Sequence, residues 1–172
     1  MANEAIGNDV QLRPATVVDV PLILRFIREL AEYERLAHAV VADEARLAAA
    51  LFGHRHYAEV VLAEIAGDPV GFALFFHNFS TFVGRPGIYL EDLYVRPAVR
   101  GRGVGARLLG HLAALAVERG CGRLEWAVLD WNETAIGFYR RLGARPLDDW
   151  KVFRLEGEAL SRLAAAAAEP SG

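Results

Sequence analysis

The spacing of apolar residues in the first third of the chain predicts a short strand followed by two helices. The strand covers Gln11–Arg13. Asp19 can cap a helix with Pro21 in its first turn, and apolar residues recur along that helix every three or four positions. They are Leu22, Ile23, Phe26, Ile27 and Leu30. A second helix is predicted over Ala42–Leu51, ending near Gly53.

Apolar runs separated by turn residues predict three strands in the middle of the chain. The runs cover Ala58–Ile65, Val70–Phe76 and Ile88–Val95. A turn at Gly67-Asp68-Pro69 and a loop ending in Gly84-Arg85-Pro86 separate them. Because these connections are short, we expect the strands to pair antiparallel.

Helices and strands alternate in the last third of the chain. A helix that follows several glycines runs to about Arg119 and stops at Gly120. A strand at Leu124–Leu129, a short helix at Glu133–Leu142 and a strand at Trp150–Leu155 follow it. The whole order predicts an α/β fold with one central mixed sheet, in a single domain over residues 11–163. We expect residues 1–10 to form a disordered extension and residues 164–172 a C-terminal tail.

Composition narrows the class of protein. The chain has 172 residues and a net charge of −3, which argues against nucleic acid or an anionic membrane as a partner. Cys121 is the sole cysteine, so an intrachain disulfide or a thiolate zinc cluster is excluded. The five histidines form no pattern that predicts a metal site. Neither a signal peptide nor an apolar membrane segment is predicted, and we expect a cytoplasmic protein.

A glycine-rich segment, Arg100-Gly101-Arg102-Gly103-Val104-Gly105-Ala106, lies between a predicted strand and a predicted helix. Glycines at a helix start leave backbone N–H groups accessible, and the helix dipole and two arginines add positive charge. This combination favours binding of an anion such as a pyrophosphate. The spacing matches neither the nucleotide P-loop nor the dinucleotide fingerprint. A glycine-rich turn before an ordinary helix is the alternative interpretation.

Three motifs together resemble the GCN5-related N-acetyltransferase (GNAT) superfamily. They are Leu90-Glu91-Asp92-Leu93-Tyr94-Val95, the Arg100-x-x-Gly103-x-Gly105 turn, and Asn132 followed by Phe138-Tyr139 and Gly143. Within that superfamily the chain is similar to the diamine (spermidine/spermine) and thialysine acetyltransferase branch. That similarity rests on Arg13-Pro14-Ala15-Thr16, on residues 29–34, on Tyr89-Leu90-Glu91-Asp92 and on Leu129-Asp130-Trp131-Asn132.

The resemblance implies a V-split, mostly antiparallel sheet of about seven strands with four or five helices. Acetyl-CoA would lie between the diverging strands Ile88–Val95 and Leu124–Leu129, where backbone groups of Leu93, Tyr94 and Val95 would pair with its pantetheine arm. The pyrophosphate would be held by the anion-binding segment. The implied cofactor residues are Arg100, Gly101, Arg102, Gly103, Val104, Gly105, Ala106, Asn132, Thr134, Ala135 and Tyr139.

The same resemblance implies two catalytic residues. Tyr139 would protonate the thiolate that leaves when an amine attacks the thioester. Its alternative is a half-buried helix aromatic. Glu91 would attract an alkylammonium and accept its proton, and Asp92 would then be structural, because strand neighbours face opposite sides. Pairing of these carboxylates with Arg96 or Arg100 is the alternative. Asn132 could also simply cap the helix after it.

The acceptor site is implied to include Tyr33, Glu34, Glu91 and Asp149. The acidic stretch before the last predicted strand is short, Leu147-Asp148-Asp149-Trp150, so polyamines and lysine-like amino acids both remain possible acceptors. A protein amine as acceptor and a non-catalytic acyl-CoA-binding module are further alternatives. The family also implies a homodimer, and the apolar strand Trp150–Leu155 would border its interface.

Overall fold

The computed structural model describes residues 9–168, which form a mixed α/β fold with five strands and five α-helices. The order is β1 (Val10–Pro14), α1 (Val20–Tyr33), α2 (Glu44–Phe52), β2 (Glu59–Ile65), β3 (Asp68–Ser80), β4 (Arg85–Val95), α3 (Val104–Glu118), β5 (Leu124–Trp126), α4 (Glu133–Arg141) and α5 (Gly157–Ala168). The predicted fold class is confirmed. The expected strand count of about seven is wrong for the described residues, which contain five.

One sheet holds all of these strands in the order β1-β2-β3-β4-β5. Strands β2, β3 and β4 pair antiparallel, as their short connections predict. β1 also pairs antiparallel with β2, although α1 and α2 lie between them in sequence, and β5 pairs parallel to β4. The β2–β3 turn is tight because Ala66 and Gly67 both adopt positive φ, at 52° and 84°.

The core between α1 and the sheet follows from the apolar stripe of α1. Ile23 and Phe26 of that stripe are completely buried. The Phe26 ring stacks on Phe72 of β3 at 5.5 Å between centroids and lies 5.9 Å from Tyr94 of β4. Packing of these rings holds the C-terminal end of β4 against α1.

Asp19 stands at the N-terminal boundary of α1, yet its side chain does not cap the helix. Its two oxygens instead accept hydrogen bonds from the guanidinium of Arg13 at 2.8 Å each, and one also accepts from Thr16 N. The expected capping role is therefore wrong, because a two-pronged bond to a cation is stronger than a neutral cap. Hydrogen bonding to Arg13 lowers the pKa of Asp19 to about 2.

The chain divides into two compact units after Leu129. In the second, α5 continues to Ala168, so the predicted boundary between domain and tail falls inside a helix. The first unit begins its sheet at Val10, one residue inside the extension expected over residues 1–10. Expectations for residues 1–8 and 169–172 lie outside the described residues. None of the helices within residues 9–168 combines the length and the apolar character needed to cross a bilayer.

The strand expected over Trp150–Leu155 is not formed. Residues 151–156 have no regular structure, and Trp150, Val152 and Phe153 are 73%, 89% and 92% exposed. An apolar run becomes a strand only when its N–H and C=O groups find a ladder partner. Within the part of the chain that the structure describes, this segment pairs with none of the five strands.

Candidate active site

The sheet opens between β4 and β5. These strands pair at three positions, Ile88 with Leu124, Tyr89 with Glu125 and Leu90 with Trp126. Beyond Leu90, β4 continues to Val95, whereas β5 has ended. Among the described residues, the C-terminal part of β4 therefore pairs with a strand on one side only. The strand expected over Leu124–Leu129 thus ends at Trp126, and the open edge lies where the resemblance implies that the two strands diverge.

The backbone groups at the open edge belong to Leu93 and Val95. Arg96 N donates to Val70 O of β3 at 2.9 Å, so the polar groups of Arg96 face β3. Since these groups alternate in direction along a strand, those of Leu93 and Val95 face away from β3. The backbone of Tyr94 faces β3, where Tyr94 lies opposite Phe72. The open edge thus offers Leu93 and Val95, and not Tyr94, to an added strand.

A β-bulge lies at Glu91. Asp92 lies opposite Leu74 of β3 and Leu90 lies opposite Phe75, so Glu91 is an extra residue with no counterpart. Neighbouring side chains face opposite sides only in a regular strand. At this bulge the expected opposite orientation of Glu91 and Asp92 therefore does not follow. Asp92 shares the face of Leu74, which packs against α1, and Glu91 is exposed.

Three carboxylates gather at this bulge. Burial, followed by the charges of Glu91 and Glu34, raises the pKa of Asp92 to about 6. Burial also raises the pKa of Glu34, which follows the last residue of α1. A raised carboxyl pKa in a concentration of negative charge is typical of sites that bind cations or move protons. The site therefore suits an ammonium group.

The alternative of a structural ion pair at Glu91 or Asp92 is not realised within residues 9–168. Arg96 pairs instead with Glu29 at 3.3 Å and donates to Pro69 O at 3.1 Å. Its guanidinium carbon lies 5.0 Å from the ring centroid of Phe26. Arg96 thus anchors the end of β4 to α1 and leaves the two carboxylates of the bulge unneutralised.

The loop before α3 has the backbone that an anion site requires. Gly101 and Gly103 have φ of 78° and 83°, a conformation that favours glycine, and a Cβ at either position would meet no atom within 4 Å. Gly103 is the N-terminal boundary of α3, and no side chain caps it. By helix geometry, the N–H groups of Val104, Gly105 and Ala106 have no partner within the helix.

The residues between Arg102 and Ala106 differ in how deeply they are buried. Val104 is buried in the core at 1% exposure, which fixes the helix start against the sheet. Arg102 and Ala106 are exposed and Gly105 is half-buried. Since an anion is held here by backbone groups, exposed positions around a fixed helix start suit the predicted role.

The Arg100 side chain lies at the end of β4, against residues of β4 and α1. Its Nε donates to Val95 O at 2.8 Å. Its guanidinium carbon lies 4.6 Å from the ring centroid of Tyr33, at the end of α1, and 5.7 Å from that of Tyr94. Sequence reasoning missed this contact, because residues 33 and 100 lie on elements whose packing no local pattern predicts.

Tyr89 is a second residue that sequence reasoning missed. Its ring is half-buried and lies 5.2 Å from that of Phe76. Burial, then the charges of Glu91 and Glu125, raises the pKa of its hydroxyl. Tyr89 is thus a neutral hydroxyl next to the carboxylates. The signal in the sequence is its place in the motif Tyr89-Leu90-Glu91-Asp92, two residues before Glu91.

The remaining predicted residues belong to the second unit and are described within it. Asn132 is 8% exposed, and its Oδ1 accepts from Ala135 N at 3.2 Å, so it caps α4 as one interpretation holds. Tyr139 is half-buried on α4, with its ring 5.4 Å from that of Phe138. Thr134 and Asp149 are exposed.

Residues 24–144 match the model of the acetyltransferase (GNAT) family. The chain belongs to this family. It is accordingly an acetyltransferase. The resemblance inferred from the three motifs is confirmed.

Individual members of the family and a solved structure are similar to this chain. The chain is 43% identical to a thialysine N-epsilon-acetyltransferase of Bos taurus, over 90% of this chain and 97% of that protein. It is 34% identical to an L-ornithine N5-acetyltransferase of Arabidopsis thaliana, over 89% and 87% of the two chains. Among solved structures, an integron cassette protein from the mobile metagenome of V. cholerae has a TM-score of 0.76 and 28% identity, over 91% and 98% of the chains.

Proposed function

We propose that this acetyltransferase moves the acetyl group of acetyl-CoA to a primary amine of a small molecule, by direct attack in a ternary complex. The observation that carries the proposal is the group of carboxylates Glu34, Glu91 and Asp92 beside the open edge of β4. This group of negative charges supports a cationic acceptor, and the backbone beside it supports an acetyl donor bound at the same edge.

The residues at the open edge fit acetyl-CoA as donor. Its pantetheine arm carries amides, which can pair with the outward N–H and C=O groups of Leu93 and the N–H of Val95 as an added strand would, whereas the C=O of Val95 already accepts from Arg100 Nε. Its pyrophosphate suits the accessible N–H groups at the start of α3, where Gly103 leaves room for it. Acetyl-CoA supplies an acetyl group activated as a thioester.

The acceptor amine needs a base. An alkylammonium with a pKa of about 10.4 carries no lone pair until it loses a proton. Glu91 is exposed at the bulge and accepts this proton, directly or through water, while Asp92 and Glu34 attract the cation. The amine nitrogen then bonds to the thioester carbonyl carbon, and the carbon–sulfur bond breaks.

The leaving thiolate takes a proton from Tyr139 in this proposal. A phenol has a pKa near 10, which makes it a suitable donor to a thiolate. The attacking nitrogen loses its second proton as the amide forms, and this proton, passed through solvent, restores the Tyr139 hydroxyl. Glu91 releases the proton it took from the ammonium to solvent. Asn132 caps α4 and so stabilises the N-terminal turn of the helix that carries Tyr139.

A lysine-like amino acid is the acceptor that the relatives favour. Thialysine and ornithine, which name the two relatives' activities, are both amino acids with a primary amine at the end of the side chain. The short acidic stretch at residues 147–150 offers less negative charge than a long polyamine would use. We therefore propose a lysine-like amino acid as the preferred acceptor. A diamine or polyamine is the second candidate.

The test is release of CoA from acetyl-CoA with a panel of acceptors. The panel contains thialysine, ornithine, lysine, putrescine, spermidine and a lysine-containing peptide, with each amine's acetylated form as its matched blank. We expect the highest kcat/KM with a free amino acid or a small diamine. Turnover of the peptide above all small amines would contradict the proposed acceptor class, and no turnover with any acceptor would contradict the function.

We also propose that the protein is a homodimer. Trp150, Val152 and Phe153 form an exposed apolar run of a kind that monomers rarely carry. A second copy that pairs with this run would bury it. Light scattering at micromolar concentration tests this, and a monomeric mass would contradict it.

A further inference from the structure

We infer that Arg100 is a positioning residue for the acceptor, because its guanidinium holds Tyr33 at the end of α1 against the open edge of β4. This inference rests on the proposed function and extends it. The same arginine is otherwise expected only to bind the pyrophosphate of the donor.

Three contacts place the Arg100 side chain. Its Nε–H donates to Val95 O at 2.8 Å, which fixes the stem of the side chain at the open edge of β4. The guanidinium then lies over Tyr33 and Tyr94, at 4.6 Å and 5.7 Å from their ring centroids. Tyr94 is buried at 5% exposure and is part of the core, whereas Tyr33 is 38% exposed. Arg100 therefore contacts both the buried ring of Tyr94 and the more exposed ring of Tyr33.

The contact with Arg100 stabilises the position of Tyr33 at the end of α1. Tyr33 is the last residue of α1, and Glu34 follows it at the helix boundary. Helix ends have fewer internal hydrogen bonds than helix centres and fray unless something holds them. A guanidinium stacked on Tyr33 holds this end, and with it the carboxylate of Glu34.

Glu34 connects the contact to the acceptor. Its charge acts on Asp92, so the carboxylate at the end of α1 lies near the carboxylate of the bulge. A cationic acceptor drawn to Asp92 also meets Glu34. Because Arg100 contacts Tyr33, the residue before Glu34, it acts on the acceptor through the position of Glu34.

Lysine cannot replace arginine in this arrangement. An ammonium keeps the positive charge, but it lacks the planar fork that bonds through Nε and stacks on a ring at the same time. Arg100→Lys therefore keeps a charge for the donor pyrophosphate and removes the contact to Tyr33. The variant Tyr33→Leu removes the ring and leaves the arginine in place.

A double-mutant cycle tests the inference. We expect Arg100→Lys and Tyr33→Leu each to raise KM for the best amine by roughly 3- to 10-fold, the range that a cation–aromatic contact corresponds to. In Tyr33→Leu, KM for acetyl-CoA and kcat should change by less than about twofold. The double variant should be no worse than the poorer single variant, because both substitutions break the same contact. Tyr33→Phe keeps the ring and should restore the amine KM relative to Tyr33→Leu.

Arg25→Lys is the matched control, since Arg25 is an exposed arginine of α1 and the substitution is identical. Additive effects of Arg100→Lys and Tyr33→Leu on the amine KM would overturn the inference, as would a rise in the KM for acetyl-CoA alone. If the wild type acetylates no amine, the proposed function fails. The same cycle is then measured on the free energy of unfolding in urea, where additive losses would show that Arg100 does not hold Tyr33.

Discussion

Asp92 of β4 lies directly opposite Leu74 of β3, on the sheet face that packs against α1. Burial and the negative charges of Glu91 and Glu34 all act on the Asp92 carboxylate in that position. Its protonation state therefore connects the stability of the fold with the chemistry of the site.

Asp92→Asn should stabilise the protein at pH 8 and weaken its activity with cationic amines. Burial, then Glu91 and Glu34, raises the pKa of Asp92 from 3.8 to about 6, so the folded protein holds this proton more tightly than the unfolded chain does. The contribution of Asp92 to the free energy of unfolding is therefore greatest below about pH 4 and is lost as the pH rises through 6, an effect of about 2–3 kcal/mol. Urea unfolding between pH 4 and pH 8 measures it.

Asp130→Asn is the control, because Asp130 is an exposed aspartate. It should change the free energy of unfolding by less than about 0.5 kcal/mol at any pH. A gain for Asp92→Asn that is the same at pH 4 as at pH 8 would show that packing, and not charge, causes it.

Glu91→Gln should move the pH dependence of kcat/KM to higher pH. Without a carboxylate to take the proton, the reaction depends on the small neutral fraction of the amine in solution, on the order of 10⁻³ to 10⁻⁴ at neutral pH. Glutamine keeps the shape, which separates the base from a packing role. The measurement is kcat/KM against pH with the best amine, and the exposed Glu118→Gln is its control. Superimposable profiles would remove the base assignment and favour Asp92.

Gly103→Ala should abolish the rise in melting temperature that acetyl-CoA produces. At φ of 83° a Cβ is strained, and here it also enters the space beside the N–H groups of α3. Gly67→Ala is a matched control, with φ of 84° and the same open surroundings in the β2–β3 turn.

Both glycine variants should lose stability by about 1–2 kcal/mol, because the strain of a left-handed residue is similar in each. Only Gly103→Ala should lose the response to acetyl-CoA, since ligand binding raises stability by mass action. An equal acetyl-CoA shift in the two variants, read by thermal unfolding, would contradict the pyrophosphate site.

Tyr139→Phe should lower kcat by about 10²–10⁴-fold, the usual contribution of a general acid, while the affinity for acetyl-CoA stays within about twofold. The substitution removes only a hydroxyl, so α4 keeps its aromatic face. Steady-state kinetics and calorimetry of acetyl-CoA binding measure the two effects. Tyr57→Phe, at a tyrosine that is 62% exposed, is the control. Near wild-type turnover where chemistry is rate-limiting would assign the proton to water or to another group.

Local patterns in the sequence were sufficient to predict the helix that begins after the glycines and the antiparallel strands in the middle of the chain. A left-handed glycine at the start of α3 and the amphipathic stripe of α1 are properties of neighbouring residues, and the structure retains both. The same holds for the motif Leu90–Val95, which identifies the family before any fold is known.

The sequence did not reveal what depends on a partner strand or on a distant side chain. Glu91 forms a bulge only because β3 pairs with Leu90 and Asp92 around it, so a rule for regular strands failed there. The apolar run at Trp150–Leu155 is typical of a strand, yet a strand exists only where a ladder accepts it. Arg100 stacks on Tyr33 because packing brings their elements together. Local residues thus determine which elements form and where anions can bind, whereas long-range packing decides which carboxylates meet and what holds them.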